Sequence, residues 1–386
     1  MKITAVAPVI VGANMRNWIF TKVETDAGVV GWGECTTEWK TRAVAGCLQD
    51  LAAFLVGEDP LRIEHLWQVT SRQGFFRGGI VAMSAASGVD QALWDIAGKV
   101  RGVPVYQLLG GAVRDRVRLY DHLGGGRTAA VYDSFTPEEV AAHARASIEQ
   151  GFTAIKAVCV PRTGYLDGPK PVKLVERLMA ALRREVGDEV DIMLDFHGRT
   201  TPAMGIQYGR AVAPYSPLFI EEPCLPENVE AIAEVARQQP CPVATGERLV
   251  TRFQFRPLLE QRACAVLQPD VGHCGGLSEL KKIAAMAEPY YVSIAPHNPG
   301  GPVAQAACLH FALSTPNFLI QEQMRADAPW RDDIVDEPLE RSNGECLPPL
   351  RPGLGVNINE REAAKHPMGQ EPLMRYFYDD GSVADW

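Results

Sequence analysis

The strongest constraint on the fold is a regular alternation of short β-type runs and helical stretches that starts near residue 116. Eight runs can be counted, and amphipathic stretches such as PEEVAAHARASIEQG and LSELKKIAAMAE lie between them. Parallel strands need a crossover connection, usually a helix, so this alternation predicts a parallel sheet. Eight units over roughly 220 residues fit a (β/α)8 barrel. The eight predicted strands are RVRLYDHL, AIKAVCV, IMLDFHG, PLFIEEP, PVATGER, AVLQPD, YVSIAPHN and FLIQEQ.

A doubly wound open sheet is the alternative architecture for the same alternation. It is less favoured, because no G-x-G-x-x-G motif follows the first strand and no phosphate-binding loop is present. The residues before 116 follow a different pattern. The stretch WIFTKVETDAGVVGWGEC (18–35) predicts a β-hairpin around TDAG, and apolar spacing predicts a helix over 83–100. Strands followed by helices indicate a small α+β domain ahead of the barrel.

Charge and cysteine content limit the partners and the compartment. The 386 residues include 38 Lys and Arg against 47 Asp and Glu, a net charge of −9. This balance argues against nucleic acid and anionic membranes as partners, but it permits an anionic small molecule if a metal ion reverses the local charge. The nine cysteines are scattered without a C-x-x-C pair, and no apolar run reaches about 20 residues. We therefore expect a cytoplasmic protein whose first residues form a β-strand rather than a signal peptide.

An ionisable residue stands at or near the end of each predicted strand after the first. A single carboxylate at a strand end is as often the cap of the next helix as a functional residue. Helix capping does not explain seven ionisable residues in register. Barrel enzymes place their chemistry at the C-terminal ends of the strands, so we expect these side chains to meet at one mouth of the barrel. The residues are Lys156, Asp195, Glu221, Glu247, Asp270, His297 and Glu322.

Three of these residues predict a metal site. Asp195, Glu221 and Glu247 end three consecutive strands. Three carboxylates at one place repel each other and cannot all stay ionised unless a cation joins them. An all-oxygen donor set suits Mg²⁺ much better than Zn²⁺, which favours nitrogen and sulfur. The sequence therefore predicts a Mg²⁺ site with these three ligands.

Two histidines are predicted to share this cavity. Residues i and i+2 of an extended strand lie on one face, so His197 is expected to project beside Asp195. His297 ends the seventh strand close to Asp270, and a carboxylate held against an imidazole fixes its tautomer and raises its basicity. For each histidine, the alternative is a structural role in the core with its hydrogen bonds satisfied. Glu322 is expected to donate to, or to steady, a developing oxyanion if its pKa is raised.

A divalent ion flanked by two histidines suggests removal of a proton next to a carboxylate. That proton is barely acidic, because its removal places negative charge on the carboxyl group. A Mg²⁺ ion bound to the carboxyl oxygens stabilises the resulting enediolate more than the ground state. One histidine then serves as the base, and a second group can protonate a departing β-hydroxyl.

These residues resemble the enolase superfamily, in its mandelate racemase/muconate lactonizing enzyme branch. The chain is most similar to acid-sugar dehydratases of the galactonate dehydratase type. The similarity extends over nearly the whole chain, so it is specific for the subgroup. The matching stretches are ETDAGVVGWGE, SAASGVDQALWDIAGK, LDFHGR, PLFIEEP, ATGERL, LQPD, GGLSELKKIAAMAE, APHNPGGP, QEQ and PGLGV.

The resemblance implies a fold and an organisation. The fold is α/β, an enolase-type modified TIM barrel, that is a (β/α)-barrel, with an N-terminal α+β capping domain. Residues 1–115 would form the capping domain, 116–345 the catalytic barrel, and 346–386 a C-terminal segment that returns to the cap. Members of this family bind small molecules and are commonly homo-oligomeric rings, so we expect a homo-oligomer.

The resemblance also implies a role for each residue. Asp195, Glu221 and Glu247 would bind one Mg²⁺ per subunit. His297, polarised by Asp270, would remove the α-proton. By the same resemblance, His197 would be the general acid that expels the β-hydroxyl, and Glu322 would stabilise the enediolate. The substrate would be a sugar acid such as galactonate, gluconate or mannonate, and the product a 2-keto-3-deoxy sugar acid.

One departure from the family bears on the reaction. Racemases and lactonizing relatives carry K-x-K at the end of the second strand, whereas this chain has Lys156 followed by Val158. The missing lysine base favours dehydration over a racemase or epimerase, which remains the alternative together with a non-catalytic barrel. Lys156 is expected to orient the substrate carboxylate or to pair with a ligand carboxylate. His122 and Tyr165 are further candidates for substrate contacts, and the loops GANMRNW and GFFRGG are candidate lids.

Overall fold

The computed structural model describes residues 1–124, 136–324, 327–373 and 375–385. The N-terminal region begins with a three-stranded antiparallel sheet in the order β1-β2-β3. The predicted hairpin is confirmed: β2 and β3 pair antiparallel, and Gly28 in their turn has a φ of +74°, which glycine adopts without strain. The elements of this region are β1 (Ile3–Ala13), β2 (Arg16–Thr25), β3 (Val30–Glu34), α1 (Thr41–Leu55), α2 (Ile63–Arg72), α3 (Ile80–Arg101) and α4 (Val105–Leu108).

Helix α3 is the central element of this region and confirms the helix predicted over 83–100. Most of its side chains are buried, because it packs against the sheet on one side and against the barrel on the other. The close approach to β3 requires glycine, since a Cβ at Gly33 would overlap the carbonyl oxygen of Gly88. The helix ends at Gly102, whose φ of +68° provides a left-handed C-cap.

The predicted barrel is confirmed. Eight parallel strands follow one another around it, and the sheet closes because β11 pairs with β4 and Ile294 forms a parallel bridge with Phe318. Within the described residues, seven helices connect successive strands. The elements are β4 (Val117–His122), α5 (Pro137–Ile148), β5 (Ala154–Val158), α6 (Pro169–Val186), β6 (Asp191–Asp195), α7 (Pro202–Val212), β7 (Phe219–Glu221), α8 (Val229–Gln238), β8 (Val243–Thr245), α9 (Thr251–Glu260), β9 (Val266–Leu267), α10 (Gly276–Ala287), β10 (Ser293–Ile294), α11 (Pro302–Leu313) and β11 (Gln321–Gln323).

Helix α11 joins the barrel to the N-terminal sheet. All of its residues are buried, and its first turn is capped from outside the barrel: the carboxylate of Glu34 accepts hydrogen bonds from the backbone N–H groups of Gly301 and Ala304, at 2.5 and 2.9 Å. A carboxylate suits this place, because it satisfies free N–H groups at the positive end of the helix. No helix in the described part of the chain is long and apolar enough to cross a membrane.

The C-terminal segment runs back over the N-terminal sheet. A short hairpin, β12 (Arg341–Ser342) and β13 (Glu345–Cys346), first adds antiparallel to β4, and α12 (Glu360–Ala363) follows. The N–H of Gly369 then donates to Asn17 at 2.8 Å, and Glu371 accepts from the N–H of Trp39 at 3.0 Å. The exact domain limits at 115 and 345 stay predictions.

Candidate active site

Three carboxylates meet at the C-terminal ends of neighbouring strands. Asp195 and Glu221 end β6 and β7 and face each other in the strand register, and Glu247 follows β8 by two residues. One oxygen from each lies within 4.8 Å of the others. Asp195 and Glu221 are buried, whereas Glu247 is partly exposed. This donor set can hold a divalent metal ion, because hard cations take carboxylate oxygens.

The buried ammonium group of Lys156 neutralises part of this cluster. Its Nζ lies 2.7 Å from Glu221 Oε1, 2.9 Å from Glu322 Oε1 and 3.8 Å from Asp195 Oδ2. Burial lowers the pKa of Lys156, but the surrounding carboxylates raise it well above its usual value. Lys156 therefore stays charged and pairs with a predicted metal ligand, one of the two roles expected from the sequence.

The titration of the carboxylates supports the fit to a cation. Burial, and then the charge of Asp195, raise the pKa of Glu221 well above its usual value despite Lys156. Burial also raises the pKa of Asp195, but Lys156 and the neighbouring histidines lower it by more. The pKa of Asp195 therefore lies below its usual value. The repulsion among the carboxylates thus contributes to the raised pKa of Glu221, and a bound cation would offset that repulsion.

His297 and Asp270 form a close pair beside the carboxylates. His297 Nδ1 lies 2.7 Å from Asp270 Oδ2, and the other carboxylate oxygen of Asp270 accepts from the N–H of Gly272 at 2.6 Å. The pair directs the opposite ring nitrogen of His297 towards the carboxylate cluster, where it lies 3.5 Å from Glu247 Oε2. Burial lowers the pKa of His297, but Glu247, Asp270 and Glu322 raise it to about 10. The arrangement is that of a basic imidazole fixed in orientation by a carboxylate.

The structure corrects the expected backbone at His197. Strand β6 ends at Asp195, and His197 has a φ of +57°, so the two side chains are not successive members of one strand face. The turn is held because the N–H of His197 donates to Asp195 Oδ1 at 2.7 Å and Arg248 donates to the His197 carbonyl at 2.7 Å. Burial lowers the pKa of His197 to about 3, and Arg199 and Arg248 add to this effect against Asp195.

A donor role for Glu322 requires a raised pKa, and the surroundings of this carboxyl group, taken together, do not raise it. Burial raises its pKa, but Lys156, His297 and His122 lower it far more, so the pKa lies well below its usual range. A hydrogen bond from the N–H of Asn298 at 2.8 Å adds to the same effect. These contacts favour the carboxylate form of Glu322 over a proton donor. Glu322 holds Lys156 and the residue after His297 in place.

The two further candidates for substrate contacts lie in different surroundings. His122 is buried at the end of β4, in register with Lys156 on β5, and burial and Lys156 lower its pKa to about 4. The Tyr165 side chain is 91% exposed, so the structure does not bring it into the barrel mouth. Of the two candidate lids, the first reaches the site: Arg16 donates to the carbonyl of Pro299 at 2.7 Å. In the second candidate lid, GFFRGG, the side chain of Phe75 is exposed to solvent.

One ion pair at the site was missed by reasoning from the sequence. Arg248 Nε lies 3.3 Å from the buried Glu222 and 3.8 Å from Glu247, and the same side chain holds the His197 carbonyl. Burial raises the pKa of Glu222 to about 7 although Arg248 lowers it. The available signal was the doubled acid EE at the end of β7 and the arginine directly after Glu247, which together place opposite charges on adjacent strand ends.

Comparison with known proteins identifies the family. The family profile described as "Mandelate racemase / muconate lactonizing enzyme, N-terminal domain" matches residues 4–110, and "Enolase C-terminal domain-like" matches residues 139–363. Proteins named D-galactonate dehydratase from Ralstonia nicotianae and Pectobacterium atrosepticum are 44% and 42% identical over 379 residues, which cover 96% of each chain. A crystal structure of a mandelate racemase/muconate lactonizing enzyme from Sulfitobacter sp. has a TM-score of 0.90 and 38% identity, and the match covers 96% of this chain and 97% of that one. This chain therefore belongs to the mandelate racemase/muconate lactonizing enzyme family of the enolase superfamily.

Proposed function

We propose that this protein is a Mg²⁺-dependent sugar-acid dehydratase, a hydro-lyase, and that D-galactonate is the first substrate to test. The observation that supports it best is the His297–Asp270 pair, whose free ring nitrogen faces the carboxylate cluster 3.5 Å from Glu247. The names and high similarity of the D-galactonate dehydratases support the substrate class. The oxygen-only donor set supports Mg²⁺ among the divalent ions.

The proposed reaction assigns one task to each side chain. Asp195, Glu221 and Glu247 would hold the ion, which when bound supplies positive charge against the charge that develops on the substrate carboxyl group. His297 removes the α-proton through its free ring nitrogen, while Asp270 fixes the tautomer and stabilises the imidazolium that forms. This role requires a neutral ring, and a bound cation would offset the charge of Glu247 that raises the pKa of His297. Lys156, held by Glu322, adds a second positive charge at the same place.

His197 is the proposed general acid that protonates the departing β-hydroxyl. A general acid must carry a proton, so this role requires the negative charge of the substrate to offset the burial that lowers the pKa of His197. Loss of water then leaves the enol of a 2-keto-3-deoxy sugar acid, which ketonises. Racemisation is not favoured, since Val158 occupies the place of a second lysine base and is buried.

The test is a screen for the keto product. Purified protein with Mg²⁺ is incubated with a set of aldonates and aldarates, and 2-keto-3-deoxy product is trapped with semicarbazide. We expect product from D-galactonate or a close stereoisomer, lost on addition of a chelator and restored by Mg²⁺. Exchange of the α-hydrogen with inversion, but without keto product, would support an epimerase instead. Absence of both, with intact metal binding, would contradict the proposal.

His197→Asn is expected to separate the two halves of the reaction. Dehydration should fall about 100-fold or more, because a positioned general acid contributes roughly 10²–10⁴-fold. Exchange of the α-hydrogen with D₂O should continue, since His297 and the metal ligands are untouched. Mass spectrometry of recovered substrate measures the exchange, and semicarbazide trapping measures the elimination. Parallel loss of both reactions would assign His197 to binding or to the base step.

We also propose that the protein is a homo-oligomer that acts on a small sugar acid and has no nucleic-acid or membrane partner. Two aromatic side chains, Phe75 and Phe76, are more than 90% exposed on one loop, as expected for a surface covered by a second copy. The acidic net charge supports the lack of nucleic-acid and anionic membrane partners. Light scattering after size-exclusion chromatography measures the oligomeric state.

A further inference from the structure

A second histidine lies beside the proposed base pair and has no part in the reaction described above. His273 follows Asp270 by three residues in the turn before α10, and its Nε2 lies 3.8 Å from Asp270 Oδ2. This is the same oxygen that contacts His297 Nδ1 at 2.7 Å. Asp270 therefore faces two imidazoles, and the charge of His273 is one of the causes that lower the pKa of this buried carboxyl against its burial.

The far side of the His273 ring is anchored in the N-terminal region. Its Nδ1 lies 2.8 Å from the hydroxyl oxygen of Ser84, a buried residue on α3. The same hydroxyl lies 2.6 Å from the carbonyl oxygen of Ile80, one turn earlier in the helix. Ser84 is thus fixed by its own helix, and the orientation of the His273 ring depends on that helix.

The hydrogen bonds limit the protonation of the ring. If Ser84 donates to Ile80, the ring must donate to Ser84 from Nδ1, and only the charged ring can then also carry a proton on Nε2. If Ser84 donates to Nδ1, the neutral ring carries its proton on Nε2. A bare Nε2 lone pair facing the Asp270 carboxylate would be repulsive. In both favourable arrangements Nε2–H points towards Asp270.

Helix α3 holds the whole turn that contains His273. Ser87 accepts from the N–H of Gly275 at 2.9 Å, and Gln91 donates to the carbonyl of Val271 at 3.1 Å. These residues share a helix face with Ser84, because they lie three or four positions apart. The turn after Asp270 is therefore shaped by the N-terminal region and not by the barrel alone.

We propose that His273 is a positioning residue for the Asp270–His297 pair, and that Ser84 on α3 sets its orientation. By directing Nε2–H towards Asp270 Oδ2, His273 favours the carboxylate orientation that keeps the His297 ring in the tautomer with Nε2 free for the substrate. The role in turnover rests on the proposed function, but the effect on the Asp270–His297 hydrogen bond does not. Helix α3 of the N-terminal region thus contributes to proton abstraction through His273 alone, without contact to the substrate.

His273→Leu tests the proposal on two readouts. We expect kcat to fall about 10- to 100-fold, as for other residues that orient a catalytic group, with KM and Mg²⁺ affinity within about twofold of wild type. His273→Gln, which keeps a donor towards Asp270, should restore most of kcat. Ser84→Ala should lower kcat less than His273→Leu. In NMR spectra of ¹⁵N-histidine-labelled protein, the low-field proton of the His297–Asp270 hydrogen bond, assigned by its loss in His297→Asn, should shift in His273→Leu.

Trp94→Phe is the matched control. Trp94 lies on the same helix and donates to Ser278 at 2.9 Å, so the variant loses a hydrogen bond to the start of α10 without affecting His273. It should change neither kcat nor the low-field resonance. Unchanged kcat and resonance in His273→Leu, or equal losses in Trp94→Phe, would overturn the proposal. If wild type dehydrates no sugar acid, the proposed function fails, and the resonance alone decides the positioning role.

Discussion

His297→Asn is expected to abolish both dehydration and exchange of the α-hydrogen while the fold stays intact. Asparagine has no basic nitrogen, so nothing at this position can accept the proton; a lost general base alone lowers the rate by roughly 10²–10⁴-fold. The pair with Asp270 and the contact with Glu247 are both lost. The barrel should be unaffected, because His297 lies after β10 and forms no part of the sheet.

The measurement is mass-spectrometric detection of deuterium in sugar acid recovered from D₂O, together with the thermal midpoint of each variant. Exchange reports the base step alone, so it separates His297 from a residue that acts only in elimination. His65→Asn, an exposed position on α2, serves as the control with the same chemical change outside the site. Exchange in His297→Asn at a rate near that of wild type would remove His297 from the base role.

The architecture was predictable because strand ends in a barrel are equivalent positions. The alternation after residue 116 sets a parallel sheet, and parallel strands align their C-terminal ends at one mouth. Asp195, Glu221 and Glu247 therefore converge even though they are widely spaced in the chain, and the structure brings their oxygens within 4.8 Å. The strand–helix pattern is therefore sufficient to predict this cluster, because the barrel backbone brings the three strand ends together.

Local backbone geometry and summed charges were not predictable in the same way. His197 was placed by strand alternation, but the strand stops at Asp195, because the Asp195 side chain captures the next free N–H and the chain turns. A donor role for Glu322 depended on a raised pKa, whereas Lys156 lies 2.9 Å away and lowers the pKa by more than burial raises it. The first error arises from a contact between residues two positions apart, and the lowered pKa of Glu322 from an ion pair between different strands of the barrel. Neither contact is visible in the hydrophobic pattern of the sequence.

Contacts between the N-terminal region and the barrel were also beyond reach of the sequence. Glu34 caps α11 a few residues after His297, and Ser84 contacts the turn after Asp270. In the sequence these residues look like a strand end and a small helical residue. Their hydrogen bonds show that the N-terminal region contacts both loops that carry the proposed base pair.

Glu221→Gln is expected to remove Mg²⁺ binding without unfolding the protein. Mutation of a residue that only supports a metal ligand typically lowers metal affinity roughly 10- to 100-fold. Loss of one of the three ligand charges should therefore lower Mg²⁺ affinity by more than about 100-fold. The fold should tolerate the amide. Gln268 donates to Glu221 at 2.7 Å, and its own carbonyl oxygen has no hydrogen-bond partner among the described residues. A rotated Gln268 amide can therefore accept from the new side chain.

Calorimetric titration with Mg²⁺ and the thermal midpoint with and without the ion measure the effect. A bound ion stabilises only the folded state, so wild type should melt at higher temperature in Mg²⁺ and Glu221→Gln should not respond. Glu322→Gln is the matched control, because it removes an equal charge beside Lys156 without removing a ligand. Its affinity should fall much less. Similar losses in both variants would mean that net charge, and not ligation by Glu221, governs binding, and an unchanged affinity in Glu221→Gln would refute the ligand set.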